Sequence, residues 1–331
     1  MNIGHEWVID FIRRVLAEGR AHHAYLLTGP THVGKLTTAL AMAQVLLCEK
    51  QTGCGQCRHC QLVGRRIHPD LRILELPADR RTIPIRDVHE FTQGIALKPL
   101  EAERKVYIID SADLLSEDGA NALLKTIEEP PPAVTLLLTA TDPARLLPTV
   151  VSRCHRLSLR RVPAEVIQEH LTANLAVDAS QARTIAELSH GLPGWAILAQ
   201  QQPEIQDEQR QRGRDLAELL QSSRLDRLKY ADTLADRWSG HNEQVLDVLE
   251  IWIDAWRGLA LSKAGLTGQW QNLDLTSGQS LDLADVRTAL AATLDTLEAL
   301  KANAHPRLAL ESLLLLWPRL PIQPLPALPS R

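Results

Sequence analysis

Two sets of residues in this chain have the types and spacing to do chemistry. The first is Gly29-Pro30-Thr31-His32-Val33-Gly34-Lys35, a G-x-x-x-x-G-K spacing. Glycines let successive backbone N–H groups converge on phosphate oxygens. A helix starting just after them adds partial positive charge, and the lysine reaches the terminal phosphates. Gly29, Pro30, Gly34 and Lys35 are therefore candidate nucleotide-binding residues, with ATP or ADP as the ligand. The second set is Cys48, Cys54, Cys57 and Cys60, with Gly53 and Gly55 giving the turn its freedom. Four soft ligands suit tetrahedral Zn²⁺, and four ligands leave no open position, so the expected site is structural rather than catalytic. His59 and His68 are spare ligand candidates, but four cysteines already fill the shell. His68-Pro69-Asp70 reads as a turn that launches the next strand.

The phosphate loop departs from an active site at two points. A Ser or Thr directly after the lysine normally ligates the nucleotide's Mg²⁺; here Leu36 offers no ligand atom. Thr37 follows, but one residue round a helix turns the side chain by about 100°, so Thr37 and Thr38 are poor substitutes. Further on, Val106-Tyr107-Ile108-Ile109-Asp110 is an apolar strand ending in an acid, the pattern in which the aspartate holds Mg²⁺. Hydrolytic sites then place a glutamate to orient water, whereas Ser111 cannot act as a carboxylate base. Asp113 is expected to point elsewhere. The expectation is a degenerate ATP site formed by Gly29, Pro30, Gly34, Lys35, Thr37 and Asp110, without autonomous ATPase activity.

These residues need a scaffold. Short apolar runs at 24–28, 71–76, 105–110, 134–140 and 155–159 alternate with helical periodicity at 36–47, 85–97 and 117–128. That alternation predicts a parallel sheet wrapped by helices. Residues 1–161 then form an α/β nucleotide-binding-like domain carrying a zinc insert at 48–60. Residues 162–207 form a small helical domain, 208–317 an all-α domain, and 318–331 a Pro-rich tail with five prolines. Tryptophans 238, 252, 256, 270 and 317 are expected to pack between helices of the all-α part. The run from Gln200 to Gln211 reads as a linker or an exposed helix start.

The chain has 331 residues, 36 Lys plus Arg against 40 Asp plus Glu, and a net charge of −4. That balance excludes a strongly polybasic, histone-like protein. No run approaches the roughly 20 apolar residues of a membrane span. With no charged leader followed by an apolar stretch, a cytoplasmic location is expected, and clustered cysteines in a reducing compartment point to metal rather than disulfides.

The phosphate-loop strand Ala21-His22-His23-Ala24-Tyr25-Leu26-Leu27-Thr28-Gly29-Pro30 and the cysteine insert begin a longer pattern. Ile109-Asp110-Ser111-Ala112-Asp113, Asn121 to Pro131, Leu146 to Cys154 and Pro306 to Glu311 continue it. In this order they resemble the AAA+ clamp-loader family of bacterial DNA polymerase III. The resemblance implies an AAA+ module, a helical lid and a helical collar, in a five-membered ring that loads the sliding clamp on primed DNA. The implied partners are gamma/tau and delta subunits, with DNA met through the assembly. The family's Ser-Arg-Cys motif maps to Ser152-Arg153-Cys154, which makes Arg153 a catalytic finger acting in trans on a neighbour's nucleotide. The family's lid arginine has no counterpart in Gly191-Leu192-Pro193-Gly194-Trp195-Ala196. Two alternatives stay open: an active gamma/tau-like ATPase subunit, and a zinc-bearing DNA-binding module using Arg65-Arg66, Arg80-Arg81 and Arg160-Arg161.

Overall fold

A computed structural model describes residues 2–77, 80, 82–265 and 281–320. The chain divides into two compact units. The first runs to Ala182 and includes Gly191–Ile197; the second holds Arg183–His190 and the chain from Leu198 onward.

The first unit is built on five parallel strands, β1 (Ala24–Thr28), β2 (Leu71–Leu74), β3 (Lys105–Ile109), β4 (Val134–Ala140) and β5 (His155–Ser158), in the order β2-β3-β4-β1-β5. Every residue of β1, β3 and β4 is buried, as expected where helices cover both faces of a parallel sheet. Successive side chains alternate between two apolar clusters. Tyr25, Leu27, Val106, Ile108 and Leu137 pack with α1 (Glu6–Ala17) and α2 (Lys35–Leu47). Ala24, Leu26, Tyr107, Ile109, Leu136 and Leu138 pack with α4 (Ile85–Thr92), α5 (Glu117–Glu128) and α6 (Pro148–Val151). Between α2 and β2 lies the short helix α3 (Arg58–Gly64).

The observed elements differ from the expected ones mainly at their ends. The helix expected at 85–97 stops at Thr92, because Gly94 takes a left-handed backbone (φ +72°) that ends helices. β2 stops at Leu74 and β3 at Ile109, so Asp110 lies just past the strand. After β5 come α7 (Ala164–Leu175), α8 (Ala179–Leu188) and α9 (Pro193–Gln201).

The second unit contains α10 (Pro203–Gln221), α11 (Arg224–Lys263), α12 (Leu283–Lys301) and α13 (Pro306–Leu316). The polar run from Gln200 is thus the end of one helix and the start of another. Trp252 and Trp256 are fully buried. Both meet Trp317 edge-on, at ring-centre distances of 4.8 and 5.5 Å, the arrangement aromatic quadrupoles favour. Trp238 packs against this core, while Trp270 lies outside the described residues. The buried guanidinium of Arg227 donates to five carbonyls, those of Leu219, Leu220, Leu314, Trp317 and Pro318. These belong to the ends of α10 and α13, where helix carbonyls lack intrahelical partners. Of the Pro-rich tail only 318–320 is described; there Leu320 is buried and its N–H donates to the Leu220 carbonyl.

Candidate functional site

The phosphate loop sits where the sequence places it, between β1 and α2, at the carboxyl edge of the sheet. That is the edge at which open parallel sheets bind ligands. Gly34 precedes α2 with φ +100°, a conformation open to glycine at little cost. At Gly29 a Cβ would come within 2.7 Å of the Leu159 carbonyl, so any larger residue would push the loop off β5.

Several of the loop's polar groups are paired within the chain. Lys35 is only 9% exposed. Its Nζ donates to the carbonyls of Gly29 and Pro30, both at 2.9 Å, and to Thr141 Oγ1 at 3.0 Å. The His32 carbonyl accepts from Gly194 N–H at 2.8 Å, which seats the start of α9 on the loop. A Cβ on Gly194 would come within 2.8 Å of that carbonyl. His5 Nε2 lies 3.1 Å from the Val33 carbonyl, and burial lowers the His5 pKa.

Leu36 turns its side chain onto the apolar cluster shared with α1. Thr37 is exposed, and the Thr38 hydroxyl lies 2.8 Å from the Gly34 carbonyl and 2.9 Å from Asn2 Oδ1. Asp110 Oδ1 accepts from Thr139 Oγ1 at 2.6 Å. Asp113 Oδ2 accepts the N–H groups of Thr141 and Asp142, in the segment whose Thr141 hydroxyl meets Lys35. Sequence reasoning missed Thr139 and Thr141. They alternate at the end of β4, the strand lying between β1 and β3, and that adjacency was the available signal.

Arg153 lies at the opposite edge. It follows α6 and precedes β5, and β5 pairs with β1 in the register Tyr25↔His155. Arg153 shares a groove with His22 and His23, just before β1, whereas Gly29 follows the last residue of β1, about 20 Å away at the usual strand rise. Its side chain, 40% exposed, sits in a groove of about 660 Å³ formed by His22, His23, Glu128, Glu129 and Cys154 among others. Nη1 donates to the Thr149 carbonyl at 3.1 Å, and Nη2 pairs with Glu128 Oε1 at 3.1 Å. The first contact caps α6; the second was not foreseen.

The four cysteines of the insert gather at the end of α2. Their Sγ atoms all lie within 4.8 Å of one another, with Cys54–Cys60 at 4.0 Å and Cys48–Cys57 at 3.9 Å. Two thiolates on one tetrahedral Zn²⁺, each at about 2.3 Å, stand about 3.8 Å apart, so the donor set fits such an ion. The N–H groups of Cys57 and Cys60 donate to the sulfurs of Cys54 and Cys57. Burial opposes ionisation at Cys48, but N–H donors from Cys54, Thr52 and Lys50 outweigh it and bring that thiol down to about 5. At Cys60 burial prevails and the thiol is pushed up.

His59, His68 and Glu101 form a second cluster, whose hydrogen bonds argue against a metal. His68 Nδ1 accepts the Asp70 N–H, and its Nε2 faces His59 Nδ1 at 2.7 Å. The proton on neutral His68 then belongs on Nε2, where a metal would need the lone pair. Asp70 is buried, and its carboxylate accepts the N–H groups of Leu100, Glu101 and Ala102 at 2.6–2.9 Å. His68-Pro69-Asp70 is thus more than a turn: it ties the insert to the loop before β3.

Among the described residues no helix is long and apolar enough to cross a membrane. A family model described as DNA polymerase III, delta subunit, matches residues 4–163. The DNA polymerase III subunit delta' of Pseudomonas aeruginosa is 32% identical over 92% of this chain and 94% of its own length. The delta' subunit of Escherichia coli is 34% identical over 54% of each. The tau/gamma subunit of Haemophilus influenzae is 38% identical over 51% of this chain, which spans only 25% of that relative. Similarity over nearly the full length of a delta' subunit shows that the chain belongs to the clamp-loader family of DNA polymerase III subunits that includes delta'.

Proposed function

We propose that this chain is a delta'-type clamp-loader subunit that lends Arg153 to the nucleotide of a neighbouring ATPase subunit and carries a degenerate site of its own. The observation that supports it most is the placement of Arg153. At the amino edge of the sheet, about 20 Å along the strand from Gly29, it cannot serve a nucleotide held by this chain's own loop. A half-exposed guanidinium at that edge can stabilise charge on a γ-phosphate presented from outside. Leu36 in the apolar cluster, and Ser111 in place of a carboxylate, support the degenerate site.

In this reading the partners are gamma/tau and delta subunits, and the assembly places the sliding clamp on primed DNA. Residues 162–207 serve as lid, 208–317 as collar, Zn²⁺ on Cys48, Cys54, Cys57 and Cys60 holds the insert, and the protein works in the cytoplasm. The test is reconstitution with ATPase partners. Arg153→Ala should assemble normally and abolish the part of the DNA- and clamp-stimulated hydrolysis that depends on this chain. Unchanged stimulated turnover would remove the proposal.

The tau/gamma similarity favours a second reading, an active ATPase subunit. Brisk Mg²⁺-dependent ATP hydrolysis by the isolated chain would select it.

A further inference from the structure

The Arg153–Glu128 pair sits at a place where simple helix electrostatics disfavours an acid. Glu128 is the last residue of α5 and Glu129 its C-cap. The carbonyl end of a helix carries partial negative charge, so a carboxylate there is unfavourable unless something compensates. The compensation present is Nη2 of Arg153 at 3.1 Å. Both side chains remain 40–45% exposed at the rim of the groove, so the pair is open to exchange rather than sealed in the core.

Guanidinium binds carboxylate and phosphate through the same planar fork. A phosphate arriving at Arg153 must therefore displace Glu128, and the released carboxylate then stands beside the incoming anion. We infer that Glu128 is a positioning residue: it parks the Arg153 guanidinium while the chain is alone, and yields it only to a more highly charged anion, the triphosphate of a nucleotide held by the neighbour. The inference rests on the trans role proposed for Arg153 and adds a threshold to it. The Thr149 carbonyl holds Nη1 of the same guanidinium. Loss of Glu128 thus leaves the finger tethered to the Thr149 carbonyl of α6 and only removes the competing charge.

The test is a mutant cycle in the reconstituted ATPase complex, titrating this chain at saturating ATP and low salt. Exposed ion pairs of this kind are modest, so Glu128→Gln should lower the half-saturating concentration of the chain by about two- to fivefold. The maximal stimulated rate should move far less. The gain should fade above about 0.3 M salt as screening tightens, and it should vanish in an Arg153→Ala background, where half-saturation is read as binding of the labelled chain to its ATPase partners. An unchanged half-saturation in Glu128→Gln, or an equal gain in that background, overturns the inference while Arg153→Ala still lowers hydrolysis. If Arg153→Ala itself leaves hydrolysis unchanged, the trans role fails and the inference goes with it.

Discussion

The two edges of one sheet treat their charged groups in opposite ways. At the carboxyl edge Lys35 is spent on two carbonyls of its own loop and on Thr141, while Asp110 is held by Thr139. At the amino edge Arg153 stands at the rim of a groove, held by one carbonyl and one exchangeable carboxylate. The lesson is that motif and availability are separate properties. The loop has the phosphate-binding spacing but lacks a metal-ligating hydroxyl beside its lysine. The arginine lies in a groove at the amino edge, away from that loop, and in the proposed reading the phosphate it meets comes from another chain.

The sharpest way to break this contrast is at Arg153. A trans guanidinium is worth about 10³–10⁵ in turnover at the site it serves. Arg153→Ala should cost the served site that much in a reconstituted, clamp- and DNA-stimulated assay. Arg153→Lys should recover little of it, because an ammonium lacks the planar fork. A loss below tenfold would make the amino edge as silent as the carboxyl edge.

The next largest effect is expected from metal removal, which tests whether the amino edge needs its cysteine quartet. The quartet closes the far end of α2, the helix that begins at the phosphate loop. Structural zinc contributes several kcal/mol, and about 1 kcal/mol moves Tm by 2–4 °C in a unit of this size. Chelation, or Cys57→Ser, should lower Tm by about 10 °C. Amide exchange should speed up across 48–64 before it does in β1, β3 and β4. An unchanged melt in a chelated sample shown to be metal-free would refute the site.

A smaller effect is expected at Asp70, which supports the same edge through three backbone N–H bonds. Hydrogen bonds to a charged acceptor contribute about 1.5–3 kcal/mol, so Asp70→Asn should cost about that much in urea unfolding at pH 7. Burial works to raise the Asp70 pKa, but the three N–H donors and His68 prevail and lower it. A group with a depressed folded pKa stabilises above its unfolded value, about 3.9, and loses that contribution as the pH falls through the folded value. The gap between wild type and Asp70→Asn should therefore close below about pH 4. A gap that persists at pH 2 would assign the cost to packing instead.

Much of this was legible in the sequence because it is local. The apolar runs mark the strands, the glycine–lysine spacing marks the loop, and the cysteine intervals mark the quartet. Two adjacent clusters, one on each face of the sheet, explain why strands so uniformly apolar are still ordered in register. What escaped were contacts across long sequence separations. Nothing near Lys35 announces Thr141, nothing near Asp70 announces the loop at 100–102, and nothing near Arg227 announces the carbonyls ending α13. Glu128 was hidden differently: it sits within a motif already quoted for resemblance, yet its partner is set by how α5 and α6 end beside each other.

The smallest expected effect would sharpen the comparison from the carboxyl edge. Leu36→Thr restores the hydroxyl that a phosphate loop normally sets on Mg²⁺. It also strips part of an apolar side chain from the cluster beneath α1, a loss of about 1 kcal/mol for a half-buried leucine. Turnover should nonetheless stay at background in the isolated chain. Ser111 still offers no carboxylate to orient water, and Lys35 must still leave three oxygens to meet a phosphate. Steady-state hydrolysis with saturating Mg²⁺ and ATP checks this directly. Should the single substitution switch turnover on, the carboxyl edge was one ligand short of activity, and its paired lysine would be no obstacle to a nucleotide.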